Sequence, residues 1–161
     1  LEFRRVLFRS ATFNNTTDHW LTSVSGDITN LTLNADNSSN ISIDITSPIT
    51  ISGNLSIDAN YTSDIQLSAD INGSSFNEIH IEAMNSANVS VDLTGNITVT
   101  GGIFVSDDGA SHHLNLGNIN MDHAFLTLSA DHGATFNNTT DHWLTSVSGD
   151  ITNLTLNADN S

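Results

Sequence analysis

Hydrophobic and polar residues alternate along this chain in short runs. In the stretch Leu31–Asn54 the apolar residues occupy every second position of three successive runs, which are followed in turn by the sequences NADNSSN, TSP and SGN. Such alternation places the apolar side chains on one face of an extended strand, and the separating residues are those that favour turns. No apolar pattern with the helical period of 3.6 residues is present. The pattern therefore predicts three short strands within this stretch.

The same pattern returns along the chain as a repeat. Residues 79–102 align with residues 31–54 without a gap, with ten identical positions and six exchanges of one aliphatic residue for another. A longer period is exact, because residues 11–38 recur unchanged as residues 134–161, 123 positions later. The long repeat is either a genuine tandem unit or an artefact of sequence assembly, and the short frame does not depend on it. The predicted coils are 31–54, 55–78, 79–102, 103–125 and 126–153, with partial coils at 11–30 and 154–161.

Short strands repeated head to tail predict an all-β fold, a parallel β-helix (β-solenoid) in which each frame forms one coil of three strands. Stacked coils bring equivalent residues into columns. The alternative is a β-sandwich repeat, which explains the alternation equally well but not the gap-free alignment of the frames. The predicted core columns are Leu31, Leu55, Ile79, Ile103, Leu126 and Leu154; Leu33, Ile57, Ile81, Val105, Leu128 and Leu156; and Ala35, Ala59, Ala83, Ala130 and Ala158, with Asp107 interrupting the alanines.

The first ten residues, LEFRRVLFRS, stand outside this pattern. They match no frame and resemble the translation of a sequencing adapter, so we interpret residues 1–10 as a non-native scar. They also hold the three basic residues of the chain, so residues 11–161 contain no lysine or arginine, against 17 of the 18 acidic residues, all but Glu2. Such a segment offers no cation to phosphate, which disfavours nucleic acid and anionic membrane surfaces as partners. The absence of cysteine excludes disulfides and thiolate metal sites, and no apolar run approaches the roughly 18 residues of a membrane span.

A three-residue motif recurs along the chain: glycine, then asparagine or aspartate, then an aliphatic residue. It occurs at 26–28, 53–55, 95–97 and 117–119. With this motif, and most closely over TGNITVTGGIFVS at 94–106, the chain resembles bacterial β-helical surface proteins of the filamentous-haemagglutinin-like and autotransporter-passenger group. The resemblance covers most of residues 11–161. It implies a secreted or surface-displayed rod that presents an adhesive surface or spaces a distal binding domain.

The functional hypothesis is therefore a non-catalytic stalk or adhesin repeat, a fragment of a large extracellular or cell-surface bacterial protein. Its expected partners are host or neighbouring-cell surfaces or glycans, and adjacent repeats of the same chain. The alternative is a β-helical carbohydrate-active or phage tail-spike module. Enzymes of the pectin-lyase type that act on uronates generally need a basic residue, which residues 11–161 lack. An inverting glycosidase needs two carboxylates about 6.5–9.5 Å apart, which stacked aspartates can reach. Near-identical repeated units argue against a single catalytic cleft, so we assign no catalytic residue.

Carboxylate and imidazole groups that occur together can bind zinc or other divalent ions. No spacing here is diagnostic, and solvated turn residues are the simpler interpretation, so we assign no metal site and no cofactor. Calcium is a further hypothesis, because stacking is expected to align Asp36, Asn60, Asp108 and Asp131 as one column of oxygen ligands. The other candidates are Asp18-His19, Asp122-His123, Asp131-His132 and Asp141-His142, and Asp107 and Asp108 before His112-His113.

Two further features are compatible with contact to sugars. Trp143 and its duplicate Trp20 each follow an Asp-His pair, and each can either stack on a sugar ring or pack over a coil edge. Sequons of the form N-x-S/T can accept glycans in a secreted protein, although many arise by chance in a chain this rich in asparagine, serine and threonine. They include Asn30, Asn40, Asn54, Asn60, Asn88 and Asn96.

Overall fold

The computed structural model describes residues 10–15, 19–21, 26–131 and 147–159, with side-chain surroundings given for residues 27–110 and 113–129. All regular elements of these ranges are strands. Within them, no helix is long and apolar enough to cross a membrane. The strands are β1 (Ser10–Asn15), β2 (His19–Leu21), β3 (Gly26–Ile28), β4 (Asn30–Ala35), β5 (Asn40–Ile45), β6 (Ile49–Ile51), β7 (Asn54–Ala59), β8 (Asp64–Asp70), β9 (Ser75–Met84), β10 (Asn88–Thr94), β11 (Asn96–Asp108), β12 (Ser111–Asn115), β13 (Asn118–Asp131) and β14 (Val147–Asp159).

The strands form three parallel sheets, one along each side of the coils. The largest sheet has the order β1-β4-β7-β9-β11-β13-β14, the second β12-β10-β8-β5-β2, and the third pairs β3 with β6. Every strand in the largest sheet pairs with the equivalent strand of the next coil, as Leu31 with Leu55 and Leu55 with Ile79. The prediction of a parallel β-helix with coils of one sequence frame each is therefore confirmed. The β-sandwich alternative is wrong, because such sandwiches are built from antiparallel sheets.

The predicted core columns are confirmed by the strand register. Ile103 pairs with Leu126, and Leu126 with Leu154, so the columns continue through the shorter and longer frames. Within the described side chains the inward aliphatic residues are nearly inaccessible to solvent; Ile57 and Ile81, for example, are both fully buried. Outward positions between them carry Ser, Thr, Asn and Asp, which explains the strict alternation of the sequence.

Asp107 does take the place of an alanine, in register with Ala83 and Ala130. Its side chain is only 3% exposed, and Oδ1 accepts a hydrogen bond of 2.9 Å from the backbone N–H of Ala110. A buried polar group is tolerated when it is bonded. The carboxylate therefore replaces a methyl group in this column, while the strand register and the burial of the position are unchanged.

Polar ladders fix the register at the corners. Asn88 Nδ2 donates to Asp64 Oδ1 at 2.7 Å, and Asn115 Nδ2 donates to Asp92 Oδ1 at 2.8 Å, each across one coil step. At another corner, Asn85 Nδ2 donates to Asn60 Oδ1 at 2.7 Å. Because a slip by one residue would break these bonds and turn the apolar face outward, the outward side chains of successive coils are held in fixed positions.

Candidate metal centre

The Asp-His pairs singled out in the sequence are only partly described by the structure. His123 Nδ1 lies 2.9 Å from Asp122 Oδ1, and both side chains are exposed. Asp18, His132, Asp141, His142 and Trp143 lie outside the described residues, and for His19, Trp20, His112 and Asp131 the structure describes the backbone position alone. His113 is exposed, Asp108 is half-buried, and Asp107 is engaged with Ala110.

The calcium column expected from Asp36, Asn60, Asp108 and Asp131 stays a prediction. The strand register pairs Asp108 with Asp131 on one side and with Met84 on the other. The repeat of the frame places Met84, not an acidic residue, at this corner. Asp36 is already bonded to the backbone N–H and the side-chain amide of Asn37, at 2.9 and 3.0 Å.

A different group comes together on the outer face of the largest sheet. Asp58 on β7 pairs in register with Glu82 on β9, and His80 lies two residues before Glu82 on the same face. His80 Nε2 is 3.8 Å from Asp58 Oδ1 and 3.7 Å from Glu82 Oε2. Within the described part of the chain, this is the one cluster of three such side chains whose donor atoms all lie within 4.8 Å of one another.

The surroundings of this cluster, here called the Asp58–His80–Glu82 site, orient its side chains. Ser56 Oγ donates to Asp58 Oδ2 at 3.5 Å, so the other oxygen, Oδ1, is the one nearest the imidazole. Ser56 and Phe104 flank His80 in register on the two neighbouring strands. All three members of the site are half-buried: the side chains of His80, Asp58 and Glu82 are 38%, 43% and 32% exposed.

The pKa of Asp58 is raised, mainly because burial disfavours the charged carboxylate. The His80 imidazole lowers this pKa, the neighbouring Glu82 raises it, and the hydrogen bond from Ser56 lowers it. The carboxylate is thus held in a place where water solvates it poorly and a second negative charge stands beside it.

The sequence analysis did not identify this site, because its Asp-His candidates are neighbours in the sequence and its stacked column runs through a different corner of the coils. The repeat could have indicated it. Asp58 lies one full frame of 24 residues before Glu82, and His80 lies two residues before Glu82, which is the period of side-chain alternation in a strand. Each residue taken alone looks like an ordinary outward polar position. Only the combination of the two periods brings them together.

The donor set can hold a divalent cation or exchange a proton. It does not match the geometry of an inverting glycosidase, because the carboxylate oxygens lie within 4.8 Å of each other and that chemistry needs about 6.5–9.5 Å to admit a water. One imidazole with two carboxylates is a set of ligands that binds divalent metals in proteins.

Replacing Asp58 with asparagine is expected to stabilise the metal-free protein at pH 7. The raised pKa means that the folded state binds this proton more tightly than the unfolded state does, so its contribution to stability is lost as the pH rises through the folded-state pKa. The gain should stay below about 1 kcal/mol, since the side chain is partly solvated. It should vanish at about pH 3, below the ordinary aspartate pKa of about 3.9.

Urea unfolding of wild type and D58N, in chelator at both pH values, measures this difference. The control is D44N, which removes an exposed carboxylate from the second sheet. A lower urea midpoint for D58N than for wild type at pH 7 would contradict the prediction.

Comparison of the chain with protein-family models, with curated proteins and with solved structures finds no match.

Proposed function

We propose that this chain is a structural repeat segment of a stalk or adhesin, from a large secreted or surface-displayed bacterial protein. The single observation that supports this most strongly concerns the duplicated sequence LTLNAD. Its first copy supplies Leu31–Ala35 of β4, the second strand of the largest sheet, and its second copy forms the last six residues of β14, the strand at the far end of that sheet. In both places the residues at its first, third and fifth positions pair with the inward columns of the neighbouring coil.

The same peptide therefore fits two places in one sheet, and a tandem array of the long unit can continue the stack without a new kind of junction. Seven strands at about 4.8 Å spacing already give a sheet about 29 Å wide along the coil axis. Each further unit adds coils in the same direction, because repeat proteins are held together by contacts between neighbours. Such a rod is suited to spacing a distal domain from a surface.

The surface chemistry supports contact with neutral, hydroxylated partners. Residues 11–161 carry no lysine or arginine, so phosphate-rich partners gain no ion pairs. The outward positions of the largest sheet present hydroxyl and amide groups, as at Thr32, Asn34 and Ser56, which are donors and acceptors suited to sugar hydroxyls. Glycans on a host or neighbouring cell are the partners we propose.

The chain extended by a second copy of residues 39–161 after Ser161 is expected to form a longer rod of unchanged thickness. Because residues 134–161 equal residues 11–38, this extension preserves the frame and adds five coils. At about 4.8 Å per coil the long dimension grows by about 24 Å. Small-angle X-ray scattering of both proteins measures the long dimension and the cross-sectional radius separately. A thicker or compact particle would contradict the stalk.

Adhesion is tested with the same two proteins on a glycan array. If the repeat is adhesive, the extended protein is expected to bind the arrayed glycans more tightly than the shorter one, because it carries more binding surfaces on one chain. Hydrolysis of an arrayed glycan would instead favour the carbohydrate-active alternative, and absence of both binding and hydrolysis would leave a stalk that carries no adhesive surface of its own.

A further inference from the structure

The three donor atoms of the Asp58–His80–Glu82 site all lie within 4.8 Å of one another. Two ligands bound tetrahedrally to one zinc ion at about 2.0–2.1 Å are about 3.4 Å from each other. The two distances from His80 Nε2, 3.8 and 3.7 Å, exceed this by only a few tenths of an ångström. They are also longer than a hydrogen bond, so the imidazole and the two carboxylates approach one another without bonding directly.

We propose that Asp58, His80 and Glu82 bind a divalent transition-metal ion of the zinc class, which joins strands β7 and β9 of adjacent coils. The imidazole nitrogen distinguishes this class from calcium and magnesium, which take oxygen ligands. Three protein ligands leave a fourth position for water. The site stands on the geometry of the three side chains and is independent of the stalk function proposed above.

The backbone holds the ligands in place before a metal arrives. Asp58 and Glu82 are paired across neighbouring strands. The inward residues beside them, Ile57 and Ile81, are fully buried and lock both strands against the core. A site carried on rigid strands loses little conformational entropy on binding. The Ser56 hydroxyl, bonded to one oxygen of Asp58, helps to orient the other.

Charge favours a cation at this position. The formal net charge of the chain is −15 at pH 7, and Glu78 stands two residues before His80 on the same strand. No lysine or arginine after residue 10 competes for these carboxylates. A bound cation would also offset the unfavourable burial of the Asp58 charge, which the raised pKa of that group reports.

Zinc is therefore expected to stabilise the stack of coils through this site. The 161-residue protein without an affinity tag is titrated with ZnCl2 by calorimetry, and its thermal midpoint is followed by circular dichroism. Saturating zinc should raise the midpoint by about 2–4 °C or more. H80Q should lose this shift and bind one zinc fewer than wild type.

The matched control is H123Q, which removes an exposed histidine outside the site, whose Nδ1 lies 2.9 Å from Asp122 Oδ1. It should keep the zinc-dependent shift. Equal zinc stoichiometry and equal midpoint shifts for wild type and H80Q would overturn the proposal, as would loss of the shift in H123Q alone. D58N adds a distinct signature, since it should be more stable than wild type in chelator yet gain nothing from zinc.

A direct measurement avoids dependence on the folding of any variant. Long-range ¹H–¹⁵N correlation spectra of the wild-type histidine rings, with the His80 signal assigned by its absence in H80Q, are recorded with zinc and with calcium at equal concentration. Zinc should shift the Nε2 resonance of His80, and calcium should not. Shifts confined to other histidines, or an equal response to calcium, would overturn the assignment of a zinc-class site.

Discussion

Truncating Phe76 to alanine is expected to destabilise the protein by about 3–5 kcal/mol, the usual cost of emptying a buried aromatic site. Phe76 is 0% exposed and is among the largest fully buried side chains of the described region. Its ring lies in the interior of the coil. Two residues earlier, Ser74 is also buried, and its hydroxyl accepts a hydrogen bond of 2.9 Å from the N–H of Ile51. Phe76 also pairs in register with Val99 of the next coil. Loss of the ring therefore weakens two coils at once.

Urea unfolding followed by circular dichroism measures this effect, and Phe125→Ala is the matched control. Phe125 is also on a strand of the largest sheet, but its side chain is 46% exposed. Its truncation removes the same atoms and should leave the free energy of unfolding within about 1 kcal/mol of wild type, because little buried surface is lost. Equal destabilisation by the two substitutions would show that Phe76 does not fill the core as described.

Phe76 also marks the limit of what the sequence frame could predict. The columns through Leu31 and Leu33 could be predicted because aliphatic residues recur at fixed positions and each such column can be buried only in one register. On the third side the frame slips by one position: Gly102 pairs with Glu78, a full frame earlier, whereas Val99 pairs with Phe76, one position short of a full frame. A bulge in β11 between Val99 and Gly102 absorbs the difference. A gap-free alignment cannot show this slip, which is why residues 55–78 match the frame less well than residues 79–102 do.

The site was harder to predict than the core, for a physical reason. Neighbouring residues on a strand point to opposite faces, so an Asp-His dipeptide brings its two side chains together only where the strand is interrupted. Asp122 and His123 meet in this way, because His123 has a backbone φ of 55° at an irregularity of β13. Residues that share a face are two apart on one strand, or one coil apart. The Asp58–His80–Glu82 site uses both relations and contains no dipeptide motif.

The site also differs from the repeat that carries it. One coil before Asp58 the register places Asn34, and one coil after Glu82 it places Ser106. The paired carboxylates therefore occur at one step of this column within the described coils, while the inward columns of Leu31 and Leu33 stay aliphatic. The core thus fixes the spacing of the outer face, and single outward substitutions can create a local site without altering the fold. This separation would let one rod combine the stalk function and the metal site that we propose.

Replacing Gly95 with alanine is expected to destabilise the protein by at least about 3 kcal/mol, through two effects that a side chain cannot avoid. Gly95 has a φ of +109°, where L-residues pay a steric penalty of about 1–2 kcal/mol. An added Cβ would also lie 2.6 Å from the Cα and 2.7 Å from the N of Asn72, which are backbone atoms of the coil beneath. Relief requires moving one coil off the other, and Gly95 O at this corner accepts the N–H of Asn118 at 2.9 Å.

Gly73→Ala is the control that separates the two effects. Gly73 has a φ of +84°, but a Cβ there would meet no atom within 4 Å. G73A should therefore cost only about 1 kcal/mol, the conformational penalty of the left-handed backbone without a clash. Urea midpoints of the two variants give the difference directly. If G95A and G73A lost equal stability, the close approach of successive coils at Gly95 would not be a determinant of the fold; a loss several times larger in G95A would show that the stacking distance itself excludes a side chain there.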